Sequence, residues 1–507
     1  MRYQNPIIPG FFPDPSIVRV GGDYFLVNST FQYFPAIIIS HSRDLVNWTQ
    51  IGHVFEDDRE LDLSGFFDGC GIWAPDISYH NGEFYIFYCL VQLKMDRSVN
   101  VRGNYMVKSK SIHGPWSTPV QLTDGGNDPS HFVDDDGAHY LLYAAGIPKG
   151  TATKIVRLSD DCTRVEGEAG WIDYGIQVKA PEGPHLIKKD GWYYHTMAAG
   201  SGVYEGHHQL VARSRNVFGP YEASPHNPFI AQFEKESPFY HHGHAKLVQT
   251  PAGDWWAVYL VRRHFGGFSP LGRETGLDRV DWLDDGWPVL NGGRGPSGSD
   301  GGGQTAVHRD DFDTETLDIR WQFVRNPDRS QFSLTERPGW LRISTAADDV
   351  DSPAPQTMLV QRETSHRFTA TTRLDAAPAA GGEAGLIAYY DTKCFIKCGM
   401  VLGPARSIRI EESRAGARST LAEIPLAGDG MVDLRMTVDG LLRKFFFRQG
   451  HGEWIPAGTV EDASFLSDEG TPEWGFTGTM TGIYAVNRGS GAVVPVGFDF
   501  FETGPAD

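Results

Sequence analysis

The first 290 residues alternate apolar and polar positions in short runs closed by turn signals, and this two-residue period predicts strands rather than helices. YFLVNST at 24–30, FYIFYCL at 84–90, YLLYAAG at 140–146 and WWAVYL at 255–260 are such runs, and Gly-Gly-Asp, Asn-Gly-Glu, Asp-Asp-Gly and Lys-Asp-Gly separate them. A longer period lies on top of the short one. Five times a polar residue stands six to nine positions ahead of a glycine that is followed by an aromatic: Asp14 before Gly22, Asp76 before Gly82, Asp128 before Gly137, Glu182 before Gly191 and His244 before Gly253. The glycines are 60, 55, 54 and 62 residues apart, the length of about four short strands per repeat. SRDLVNWTQ at 42–50, KSIHGPWSTP at 110–119 and RSRNVFGPYEA at 213–223 repeat the outer half of the unit. The expected architecture is all-β, a five-bladed β-propeller over residues 1–290.

After Trp287-Pro288 the pattern stops. Residues 291–307, NGGRGPSGSDGGGQTAV, are dominated by glycine and serine and read as a linker. Alternation resumes at Asp310-Asp311-Phe312-Asp313 and continues through GWLRIST, FTATTRLD, AGLIAYYD and VDLRMTVDG, which predicts a second all-β unit, a β-sandwich over 308–507. Its segment EWGFTGTMTG at 473–482 is glycine-rich and reads as an exposed loop able to cap a neighbour.

Composition narrows the partners. Acidic residues outnumber basic ones by 64 to 45, for a net charge of −19, which disfavours nucleic acid and anionic membranes, since both reward clustered Lys and Arg. No run approaches the roughly 20 apolar residues of a membrane span, and MRYQNPIIPG lacks the charged and apolar stretches of a secretory leader. Five scattered cysteines, Cys70, Cys89, Cys162, Cys394 and Cys398, suit a reducing, cytoplasmic compartment. Cys394 and Cys398 lie four apart in a strand-like run with no partner His, which argues against zinc there.

The five polar residues share one phase of the repeat, so the innermost strands of a propeller bring them to one axial pocket. Asp14, in FFPDPSIV, is held between two prolines, and that rigidity suits a base that aims a water. Glu182, in APEGPHLI, has the longer reach of a proton donor, and Asp128, in GNDPSHF, is a third carboxyl whose charge raises its neighbours' pKa values. Two carboxyl groups on opposite faces of a sugar are what glycoside hydrolysis uses. Asp76 is closer to its glycine than the others and reads as structural. His244, in HHGHAKLV, has two roles open to it, a hydrogen bond or a hydrated cation on the axis, and Arg273, in PLGRET, is open to clamping sugar hydroxyls or balancing charge. Phe31 and Trp73 flank the first two axial acids and offer faces on which a sugar ring stacks.

These residues, with NPIIPGFFPDPSIVRVGGDYFLVNSTFQYFP, GIWAPDISYHNGEFYIFY, NDPSHFVDDDG, PEGPHLIKKDGWYY, GHAKLVQTPAGDWW and LGRETGLDRVDWLDDGWPVL, resemble glycoside hydrolase family 43 over nearly the full chain. The second unit resembles the concanavalin A-like sandwich of its β-xylosidase branch. The resemblance implies an inverting exo-acting enzyme that releases xylose from short β-1,4-xylo-oligosaccharides or arabinose from arabinoxylo-oligosaccharides. Asp14 would be the base, Glu182 the acid and Asp128 the group that tunes the acid, with the two catalytic carboxyls about 6.5–9.5 Å apart. Arg273 would bind sugar hydroxyls, Phe31 and Trp73 would wall the glycone subsite, and Phe476 would enter the pocket from the sandwich. No cofactor is needed for the chemistry, though His244 would touch a water-coordinated Ca2+ at the propeller centre. The sandwich leaves surface for a homo-oligomer. Two departures widen the leaving-group side: the segment after YLLYAAG is short and lacks an expected tryptophan, and the loop before Leu271 is shortened.

Overall fold

Each glycine of the sequence repeat closes a hairpin between the first two strands of a four-stranded antiparallel sheet, so the period read from the sequence is the period of the fold. The structure is a computed structural model, described here for residues 3–93, 100–147, 150–175, 178–200, 206–233, 237, 239–298, 306–345, 348–376, 381–403, 405–487 and 493–506. Five such sheets precede residue 291. Their first strands are Ser16–Val20, Gly71–His80, Asn127–Val133, Glu182–Lys189 and Phe239–Gln249. Each packs on the next, and the fifth packs on the first, so they form a closed ring about one axis. The N-terminal segment seals the ring: Ile8 bridges Thr275 on the last sheet, and the Asn5 side-chain amide exchanges two 2.9 Å hydrogen bonds with the Leu277 backbone. No α-helix occurs among the described residues.

Residues 291–298 do not run free. Asn291–Gly293 form a single 3-10 turn, and Ser297 donates from its amide to Asp278 at 2.8 Å and from its hydroxyl at 2.5 Å, while its carbonyl accepts from Asn5 at 3.0 Å. Composition alone could not show this, because the anchor is a buried carboxylate on the propeller. Residues 299–305 of the expected linker lie outside the described residues.

The second unit is a sandwich of two antiparallel sheets. One runs Phe332–Ser333, Leu341–Ser344, Pro495–Gly504, Arg367–Ala376, Val432–Asp439, Leu442–Gln449 and Ile455–Val460, with His308–Asp310 beside Pro495–Gly504. The other runs Met358–Arg362, Met480–Val486, Gly382–Tyr389, Phe395–Leu402, Ser407–Arg414 and Ala417–Pro425. Alternate residues of both sheets, among them Leu386, Cys398, Ile410, Leu434 and Phe498, fill the core between them.

The two units share a further core. Phe11, Phe31 and Tyr33 of the propeller pack with Val324, Met358, Val360, Tyr389 and Met480 of the sandwich. Tyr33–Phe34 pairs with Phe323–Val324 across the junction. Arg325, fully buried, reaches into the propeller to donate to Asp68 at 2.7 Å and to the Phe66 carbonyl at 2.6 Å.

Candidate active site

The site is built by a local break in each innermost strand. Register shifts interrupt four of the five pairings, between Trp73 and Asp76, Asn127 and Ser130, Glu182 and His185, and Gly243 and Lys246. Beside the breaks, or just before the strand, residues take left-handed backbone: Asp14 (φ 52), Ala74 (φ 36), Asp128 (φ 55), Gly183 (φ 55), and both His241 (φ 52) and His244 (φ 52). A bulge re-aims a side chain, and positive φ in residues with a Cβ is strain that the surroundings must hold in place. Here it turns Asp14, Asp128, Glu182 and His244 into one cavity of about 510 Å³, together with Phe31, Trp73, Arg273 and Phe476. All eight residues singled out in the sequence therefore line one pocket.

Asp14 is buried and held on both oxygens. Ser29 donates to Oδ2 at 2.7 Å, Arg273 Nη1 donates to Oδ1 at 2.7 Å, and His244 Nδ1 lies 3.7 Å from Oδ1. Burial alone would raise its carboxyl, but Arg273, His244 and Ser29 together hold it below the ordinary 3.8. Asp128 goes the other way: burial, then the charges of Glu182 and Asp14, push its carboxyl up against the pull of His244. Its Oδ2 accepts from the Gly183 amide at 2.9 Å, which ties it to the residue after Glu182. For Glu182 burial again works upward, yet His207, with Nε2 at 3.2 Å from Oε1, and then His244 keep its carboxyl below 4.5. Three carboxyls thus sit in one cavity in unlike electrostatic settings, the arrangement by which one site holds both an acid and a base.

Aromatic rings make one wall. Phe31 and Phe476 are parallel within 16° at 5.9 Å, Trp73 meets Phe476 edge-on at 5.1 Å, and Trp474 stands 6.1 Å from Trp73. Trp73 Nε1 donates to the Gly69 carbonyl at 2.8 Å, which fixes the ring. The sandwich loop is fastened to the pocket's own arginine, since Arg273 Nη2 donates to the Phe476 carbonyl at 3.0 Å. His207, Arg102 and Trp474 escaped the sequence reading. His207 sits just before a strand, off the phase of the repeat; Arg102, whose guanidinium lies 5.0 Å over the Trp73 ring, carries no motif; Trp474 is two residues from Phe476 in the same noted loop.

One layer further along the same strands a polar cluster closes the axis. Asp76 accepts from Ser16 Oγ at 2.7 Å, Lys246 Nζ at 2.5 Å and the His131 amide at 2.9 Å, and His185 Nδ1 lies 3.6 Å away. Every innermost strand contributes one of these residues, so Asp76 is structural, as its spacing suggested. The Lys246 ammonium also binds the Ile77 carbonyl at 2.6 Å and Ser16 Oγ at 3.1 Å. A carboxylate, a hydroxyl and a carbonyl would suit Ca2+, but here they already surround a fixed positive charge. This donor set does not fit a calcium ion beside Lys246.

Elsewhere His131, His139 and Cys162 bring three donor atoms within 4.8 Å of one another, all buried. The two imidazoles are parallel within 5°, their centroids are 5.1 Å apart and their facing nitrogens 2.9 Å apart. That is the arrangement of a single N–H···N hydrogen bond, which satisfies both rings without an ion. Burial pushes the Cys162 thiol up to about 12, far from a thiolate ligand.

Two family profiles cover the chain: glycosyl hydrolases family 43 over residues 3–288, and the β-xylosidase C-terminal concanavalin A-like domain over residues 309–503. The chain belongs to glycosyl hydrolase family 43. It is therefore a glycoside hydrolase whose pocket is the centre of a family 43 propeller. A solved family 43 structure from Bacillus licheniformis is 44% identical, covers 99% of each chain and superposes with a TM-score of 0.92. A xylan β-1,4-xylosidase from Bacillus halodurans C-125 is 34% identical with a TM-score of 0.92, over 99% of this chain and all of that one. A non-reducing end α-L-arabinofuranosidase of Bacteroides ovatus is 35% identical over 99% of this chain and 94% of its own.

Proposed function

We propose that this family 43 enzyme removes single xylose units, by inversion, from the non-reducing ends of short β-1,4-xylo-oligosaccharides. The observation that carries the reading is the unlike setting of three carboxyls in one pocket, with Asp14 held ionised by Arg273 and Asp128 raised beside Glu182. In this reading Asp14 takes a proton from a water as the water's oxygen bonds to the anomeric carbon. Glu182 gives a proton to the glycosidic oxygen, which keeps the electron pair of the breaking C–O bond. Asp128 fixes the acid through the Gly183 amide and, when it carries a proton, removes one of three like charges. Arg273 has Nη1 on Asp14 and Nη2 on the Phe476 carbonyl, and the second N–H of each terminal nitrogen is left to meet a sugar hydroxyl.

Exo action follows from the shape. The Asp76–Lys246 cluster lies across the axis on one side and Phe476 packs on Phe31 in the aromatic wall, which supports entry by the end of a chain. No step is routed through a metal.

A second reading, release of arabinofuranose, is favoured by the similarity to the Bacteroides ovatus α-L-arabinofuranosidase, at 35% identity beside 34% for the β-1,4-xylosidase. Initial rates on p-nitrophenyl β-D-xylopyranoside and p-nitrophenyl α-L-arabinofuranoside decide between them. Xyloside preference that disappears in Asp14→Ala is the expected result. Arabinoside preference keeps the roles and changes the sugar, while an active Asp14→Ala enzyme overturns the assignment of the base.

A further inference from the structure

We propose that His207 is a positioning residue that stores the proton of Glu182 between turnovers, so that the two side chains act as one proton-donating pair. This rests on the reading of Glu182 as the acid and answers a difficulty in it. A general acid must carry a proton when substrate arrives, yet in this pocket Glu182 is held toward its carboxylate form.

The geometry around His207 supplies the missing proton. The ring has no exposed surface, its Nε2 lies 3.2 Å from Glu182 Oε1, and its Nδ1 lies 3.5 Å from the His241 carbonyl. Both nitrogens therefore face acceptors. A neutral imidazole has one N–H and turns a lone pair toward one of those oxygens, whereas an imidazolium turns an N–H toward each; Nε2 approaches Glu182 closely without a formed hydrogen bond in this resting geometry. Space for the ring is made by Gly243, where a Cβ would stand 2.4 Å from His207 Cε1 and 2.7 Å from Nδ1. The neighbouring histidines stay out of the way: burial pushes His241 down to about 2 and His242 to about 3, so neither is charged near neutral pH. Among the described residues, the other charged or titratable groups acting on the pair are Asp14, Asp128 and His244 on the pocket side and His208 beside His207.

When a sugar displaces water from the pocket, the proton on His207 Nε2 passes to the Glu182 carboxylate, leaving two neutral groups in a drier cavity. Glu182 gives that proton to the glycosidic oxygen as the bond to the anomeric carbon breaks and its electron pair goes to the oxygen. The proton that Asp14 takes from the attacking water returns through solvent, so each turnover takes up one proton and releases one.

The test compares leaving groups. p-Nitrophenolate departs without a proton, whereas the sugar released from xylobiose needs one, so a loss of proton donation shows only on xylobiose. For His207→Phe and His207→Asn, kcat/KM on xylobiose is expected to fall roughly 10- to 100-fold, against less than about threefold on p-nitrophenyl β-D-xylopyranoside. Gly243→Ala, which displaces the ring, is expected to show the same selectivity. The ratio of the two rates does not depend on how much of a variant folds. Glu182→Gln serves as the control. If it is selective for xylobiose and the His207 variants lose both activities equally, or neither, the proton store is overturned and the acid assignment stands. If Glu182→Gln itself shows no selectivity, the acid assignment falls and the pair with it.

Discussion

Arg273 decides the state of Asp14. Its guanidinium donates to one carboxyl oxygen at 2.7 Å inside a buried site, where an unpaired carboxylate would be costly. In the proposed mechanism Asp14 is the base, and a base works only when ionised, so holding its carboxyl below 3.8 would keep it competent as the pH falls into the acid range. Removing the arginine leaves burial less opposed and the carboxyl rises. Arg273→Met is therefore expected to move the acid limb of the kcat/KM profile on p-nitrophenyl xyloside to higher pH, besides weakening sugar binding. An acid limb that stays in place would show that Ser29 and His244 suffice. The same depression bears on stability. The folded carboxyl lies below the unfolded one, so its contribution is present above 3.8 and is lost as the pH drops through the lower folded value.

At the scale of the strand, the bulges do what regular pairing cannot. In an unbroken strand alternate side chains point to opposite faces; a register shift lets Glu182 face the pocket and His185, three residues on, face the axial cluster. Gly183 shows how tight the arrangement is. Its φ is +55, its amide holds Asp128, and a Cβ there would sit 2.8 Å from the His244 ring. Gly183→Ala is expected to cost about 1–3 kcal/mol from backbone strain alone, to lower Tm, and to cut turnover by displacing His244. A variant with unchanged Tm and activity would mean that His244 does not pack on this backbone. The expected tryptophan is missing after YLLYAAG, but the sandwich brings Trp474, 38% exposed, to the mouth of the pocket. An aromatic is thus present in the pocket lining, carried by a different element.

Over the whole molecule, the sandwich lines the candidate pocket as well as packing on the propeller. Phe476 stacks on Phe31, its carbonyl fixes Arg273, and the shared core around Phe11 and Tyr33 joins the units. A protein cut after residue 298 is expected to expose that core and to lose activity on xylobiose along with solubility; full activity in the isolated propeller would refute a catalytic role for Phe476. A milder probe is Arg325→Ala, which leaves Asp68 buried without its cation and is expected to cost about 3–5 kcal/mol, read as a fall in Tm. The repeat of turn glycines, the two-residue alternation and the shared phase of Asp14, Asp128, Glu182 and His244 were all legible in the chain. Each depends on local rules: a hairpin needs its turn residues, and a strand facing a core needs alternation. Residues at one phase of a closed repeat must also meet. Not legible were His207, Lys246 as the axial cation, Arg102, and the anchoring of 291–298 on Asp278, because each is defined by a partner far along the chain. Local patterning is enough to say which strands form and which acids converge. How those acids differ depends on the folded packing, because a carboxyl's charge state is set by burial and by neighbours such as Arg273 and His207 that chain order does not place beside it.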